Sequence, residues 1–179
     1  MKHRLFISIP ILEDAKNELI GFQEKMENLD VRWEKPENFH LTLAFLGDAK
    51  EDDIEKIKEI IGEVTRENSL FVINLDRIVL GPNLSYPRMI WAVGKIAPEL
   101  EKIEKGLKNK LTREKIFVDR KHPFNVHLTL ARARINLIPG RVDEEIQLSF
   151  PAKEICLMES QLDREGAKHT ILKTYLLNV

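Results

Sequence analysis

Apolar positions along this 179-residue chain follow two rhythms, one helical and one extended. From Leu12, the residues Ala15, Leu19, Phe22, Met26 and Leu29 recur at spacings of three and four, which lays one apolar stripe along a helix. Ile54, Ile57, Ile61 and Val64 predict a second helix over about 52–67, with acidic residues at its start, where the helix dipole favours them. A third begins at Pro98, whose fixed φ suits a first turn, and continues through Leu100, Ile103, Leu107 and Leu111. Between them, residues 4–9 (closed by Pro10), 31–33, 40–46, 70–80, 89–93, 125–135, 145–150, 154–162 and 169–177 read as strands. Strands outnumber helices and several pair across short turns, so the pattern predicts an α+β fold of mostly antiparallel sheet with helices packed outside.

One heptapeptide occurs twice. Asn38-Phe39-His40-Leu41-Thr42-Leu43-Ala44 and Asn125-Val126-His127-Leu128-Thr129-Leu130-Ala131 agree at six of seven positions, 87 residues apart. A chance match is about 0.06 per position at ordinary residue usage, so an accidental repeat of this quality is not expected in so short a chain. The repeat predicts a bilobal molecule, two pseudo-symmetric lobes that each give one motif strand to a central cleft. The helices around the two motifs do not follow the same order, so the lobes are interleaved within a single domain over 1–179.

In a strand, residues two apart share a face. His40 and Thr42, like His127 and Thr129, therefore project together while the leucines between them anchor the opposite side. Either copy alone is best read as a hydrogen-bonded packing histidine. Two near-identical copies invert that reading, because a core has no reason to repeat a polar pair in one context, whereas a symmetric acid-base site does. Phosphodiester cleavage needs one proton removed from the attacking oxygen and one delivered to the leaving oxygen. Histidine, with a pKa near ~6.5, does either at neutral pH. Threonine hydroxyls can donate to non-bridging phosphate oxygens, and no metal is required. Sequence symmetry does not assign which histidine is acid and which is base.

Composition narrows the setting. With 43% hydrophobic and 32% charged residues the chain is an ordered globular one. Cys156 is the only cysteine, so there is no internal disulfide and no thiolate zinc site. The first apolar run ends at Pro10, too short for a secretory signal, and no run reaches membrane-spanning length, which places the protein in the cytoplasm. The abundance of lysine and glutamate is a bias of proteins from hot environments. Net charge is −1, yet residues 102–134 carry ten Lys or Arg against Glu104, Glu114 and Asp119, net +7. That run is either a solvated helix face or a phosphate-facing patch.

The two His-x-Thr motifs resemble the paired signatures of the two-histidine (2H) phosphoesterase superfamily. More narrowly, the chain resembles the LigT-like RNA 2',3'-cyclic phosphodiesterases, also called 2'-5' RNA ligases. Phe6-Ile7-Ser8-Ile9-Pro10, Trp33 ahead of Asn38-Phe39, Ala44-Phe45-Leu46-Gly47 and Ala131-Arg132 carry the narrower likeness. The resemblance implies hydrolysis of an RNA 2',3'-cyclic phosphate end, tRNA fragments among the candidates, to a 2'-phosphomonoester. It makes His40 the proton donor and His127 the proton acceptor, with Thr42, Thr129 and Arg132 on the phosphate. It further implies 2'-5' ligation when a 5' hydroxyl replaces water, no cofactor, and a monomer.

Other residues are weaker candidates. Arg120, Lys121 and His122 could guide an RNA backbone, and Phe45 or Trp33 could stack on a base, although core packing is the plainer reading of both aromatics. His122 and His127 are five apart, which fits no common zinc spacing. His3 and His169 lack the threonine context and read as incidental. Three rival functions remain: a phosphodiesterase for small cyclic nucleotide derivatives, a non-catalytic module that holds RNA ends, and a metal-dependent hydrolase.

Overall fold

The computed structural model describes residues 2–120, 123–135, 138, 140–163 and 166–179. The elements run β1 (Lys2–Pro10), α1 (Glu13–Lys25), β2 (Val31–Trp33), a 3-10 turn (Pro36–Asn38), β3 (His40–Lys50), α2 (Glu51–Arg66), β4 (Phe71–Gly81), β5 (Met89–Gly94), α3 (Pro98–Arg113), β6 (His127–Ala133), β7 (Asp143–Ala152), β8 (Glu154–Asp163) and β9 (Gly166–Leu176). Two antiparallel sheets form the two lobes, one in the order β3-β1-β8-β9 and one in the order β2-β6-β5-β4-β7. The α+β expectation holds.

The lobes correspond strand for strand. β1 lies between β3 and β8 as β5 lies between β6 and β4, and β9 and β7 then flank β8 and β4; β2 is an addition beside β6. One helix precedes each motif strand, α1 before β3 and α3 before β6. The first sheet draws its strands from both ends of the chain.

The helical stripes are where the periodicity places them. α2 buries Ile54, Ile57, Ile60, Ile61 and Val64, and α3 buries Leu100, Ile103, Leu107 and Leu111, the two packing on each other. α1 stops at Lys25 although its stripe continues. Met26 and Leu29 pack on the core from the following turn, so tertiary burial extends the pattern past the helix. β3 runs four residues beyond its expected end. Leu5 faces Gly47 but Phe6 faces Phe45, so Leu46 is bulged, and Gly47 takes the left-handed φ of 59° that lets the strand resume pairing. The motif leucines Leu41, Leu43, Leu128 and Leu130 are all 2% exposed or less. A second, small cluster of Phe6, Cys156 and Met158 lies apart from the main core. Among the described residues, no helix is long and apolar enough to cross a membrane.

Candidate active site

Each motif histidine opens its strand, His40 at the start of β3 and His127 at the start of β6, and these two strands approach each other across the lobes. The local geometry is repeated. His40 Nδ1 donates to the carbonyl of Asn38 at 2.6 Å, and His127 Nδ1 donates to the carbonyl of Asn125 at 3.1 Å. A carbonyl only accepts, so the neutral ring carries its proton on Nδ1 and leaves the Nε2 lone pair bare. Each ring also rests on an aromatic neighbour: His40 on Phe6 with centroids 4.9 Å apart, His127 on Trp91 at 4.3 Å. Gly81 makes room for Trp91, because a Cβ there would collide with the indole.

The charged form of both imidazoles is disfavoured. Burial pushes the His40 pKa down to about 4; the Asn38 hydrogen bond opposes the shift, and the charges of His169, Arg132 and His127 reinforce it. His127 is lowered too, mainly by burial, with the Asn125 hydrogen bond opposing and Arg132 adding to the effect. Thr42 and Thr129, two residues on, are half-buried on the histidine face and lie opposite Ser8 and Trp91. Arg132 is partly exposed, anchored through Nε to Glu34 at 2.6 Å. Its charge acts on three histidines, His40, His127 and His169, lowering the pKa of each.

His169, expected to be incidental, packs against the first motif histidine. Its ring meets His40 edge-on at 5.2 Å and Phe6 at 4.9 Å. Nothing local marks it, because β9 reaches His40 only once the terminal strands have closed the first sheet. His3 is structural but not idle, with Nδ1 on Glu159 and Nε2 on Glu51, both at 2.6 Å, and a raised pKa caused first by those hydrogen bonds. Trp33 packs edge-on against Phe22 in the core, while Phe45 is 52% exposed beside Phe6. Arg120 is turned onto α3, donating to the Lys108 carbonyl and to Thr112 Oγ1. Lys121 and His122 lie outside the described residues. A groove of about 350 Å³ lined by Val79, Pro82, Leu84, Trp91 and Val93 adjoins His127, which pairs with Val93 on the same sheet face.

The family model for LigT like Phosphoesterase matches residues 9–91, the half that contains the first motif. Over 179 aligned positions, 96% of this chain and 99% of the relative, the chain is 30% identical to an RNA 2',3'-cyclic phosphodiesterase of Methanocaldococcus jannaschii. It is 33% identical over 73% of its length to a protein of the same name from Aeropyrum pernix, covering 77% of it. A crystal structure from Thermus thermophilus superposes with a TM-score of 0.88 at 25% identity, covering 97% of each chain.

Proposed function

Because the chain belongs to the LigT-like phosphoesterase family, we propose that it is a metal-independent RNA 2',3'-cyclic phosphodiesterase in which His40 and His127 share the proton transfers. The observation that carries this reading is the matched pair of imidazoles, each fixed by a main-chain carbonyl so that Nε2 is the working nitrogen. Thr42, Thr129 and Arg132 hold the non-bridging oxygens. His127 Nε2 takes a proton from water as its oxygen attacks phosphorus, the bond to the 3' oxygen breaks, and His40 delivers a proton to that oxygen, leaving a 2'-phosphomonoester. His40 must first be protonated. An anionic phosphate entering the cleft offsets the field of Arg132 and favours the imidazolium, so protonation is coupled to binding. A 5' hydroxyl in place of water gives a 2'-5' linkage by the same transfers. The RNA substrate is supported by the relatives named RNA 2',3'-cyclic phosphodiesterase, and the groove beside His127 offers a base an apolar wall. Free, buried Cys156 suits the reducing cytoplasm.

The test is an oligonucleotide ending in a 2',3'-cyclic phosphate, incubated with the protein in excess EDTA and followed by phosphorus NMR. Turnover to a 2'-phosphate is expected, and a ribose cyclic phosphate without a base should react at least about tenfold more slowly in kcat/KM. No turnover, loss of turnover in EDTA, or a 3'-phosphate product overturns the reading.

A further inference from the structure

We propose that His169 is a third substrate-contacting histidine, donating through Nε2 to a phosphate oxygen on the His40 side of the cleft. The inference rests on the phosphoesterase reading above and adds a binding group that the paired motifs do not contain.

Three observations carry it. First, the ring is held against His40 itself: it lies at 86° to His40 and at 75° to Phe6, so the three rings form one cluster. Second, the start of β9 is tied to the motif itself. Asn38 Nδ2 donates to the Ala167 carbonyl at 2.9 Å while the Asn38 carbonyl accepts from His40 Nδ1, so one residue positions both histidines. Third, His169 Nδ1 is buried with no hydrogen-bond partner. A proton on that nitrogen would be a buried, unsatisfied donor, which native structures avoid. The neutral ring therefore carries its proton on Nε2, and since the ring as a whole is only half-buried, that N–H is its one route to a partner.

Packing alone does not account for a histidine here. The neighbouring cluster of Phe6, Cys156 and Met158 is apolar, and a phenylalanine would fill the same edge-on position without an orphaned nitrogen. The counterpart strand in the other lobe, β7, has no histidine, so this group breaks the symmetry of the site on the His40 side only. A donor waiting for an oxygen explains both the residue type and its one-sided placement.

The experiment compares His169→Phe, His169→Gln and His169→Asn on adenosine 2',3'-cyclic phosphate. The Gln amide nitrogen reaches the place of Nε2, whereas the Asn amide nitrogen reaches that of Nδ1. His169→Phe should lower kcat/KM about 10- to 100-fold while its Tm stays at or above that of the unaltered protein, and His169→Gln should recover most of the loss where His169→Asn does not. Unchanged kcat/KM in His169→Phe, or Gln no better than Asn, overturns the proposal. If the unaltered protein does not turn over the cyclic phosphate, the parent reading fails separately. Titration with inorganic phosphate then decides this one: weaker binding by His169→Phe supports it, and equal binding overturns it.

Discussion

At the scale of single residues, the depressed pKa values make testable statements about both catalysis and stability. Alanine at position 40 or 127 removes a positioned proton transfer and should reduce kcat by about 10² to 10⁴, with the far-UV spectrum unchanged. In the free protein both rings shed their protons below the usual value near ~6.5. The fraction carrying the required proton therefore falls as pH rises through the neutral range, and kcat/KM should decline with it. Bound phosphate raises the pKa of the acid, so the corresponding fall in kcat should lie at higher pH. For stability the sign runs the other way. The folded pKa of His40 is below the unfolded one, so between pH ~6.5 and 4 the unfolded chain binds a proton that the native state refuses, and stability drops by roughly 3 kcal/mol as pH falls through that window. His40→Phe should flatten this part of the urea-midpoint profile, and an unchanged profile would contradict the assignment of the penalty to His40. The motif residues were legible because the repeat exposed them. His169 was not, since what distinguishes it is a contact made by the closing strand.

At the scale of elements, His3 acts as a clamp: it sits on β1 and bonds Glu159 of β8 and Glu51 at the first turn of α2. Donating to two carboxylates requires both ring nitrogens protonated, which is why its pKa is raised. Its folded pKa is above the unfolded one, so the clamp is fully present below pH ~6.5 and is lost as pH rises through the raised value. The Tm gap between the natural protein and His3→Gln should thus be widest near pH 6 and close in the alkaline range; a gap constant with pH would sink this account. The sequence pattern located all three helices and every strand here: the helices because each buries one apolar stripe of the expected period, β9 through its β-rich composition although its side chains stay largely exposed. It misjudged ends where something other than periodicity decides them: the glycine-based bulge that prolongs β3, the turn that ends α1 before Met26, and β9, which starts at Gly166 because a polar segment pairs with Leu162 and Gln161.

At the scale of the whole molecule, the uneven charge of the sequence leaves both a solvated helix face and a phosphate-facing patch open, and the fold pairs several of its cations with carboxylates. Lys105 pairs with Glu101, Lys108 with buried Glu104, Lys110 with Glu63 of α2 and with Glu67 just beyond its end, Arg132 with Glu34, and Arg134 with Asp30. Linear spacing could not reveal this, because several of the acids lie outside the basic window and meet it only through α2 against α3 and β2 beside β6. Cations already neutralised by fixed carboxylates release few counterions when a nucleic acid arrives. The log of kcat/KM for a cyclic-phosphate oligonucleotide should then fall against the log of salt with a slope of only about −1, since each phosphate neutralised on a single strand contributes about −0.7 and only the terminal phosphate at Arg132, with at most one neighbour, is met. Lengthening the oligonucleotide beyond two or three residues should leave both the slope and kcat/KM nearly unchanged. A slope steeper than about −3, growing with length, would show instead that the backbone is held along the basic window, and that binding displaces the carboxylates paired there.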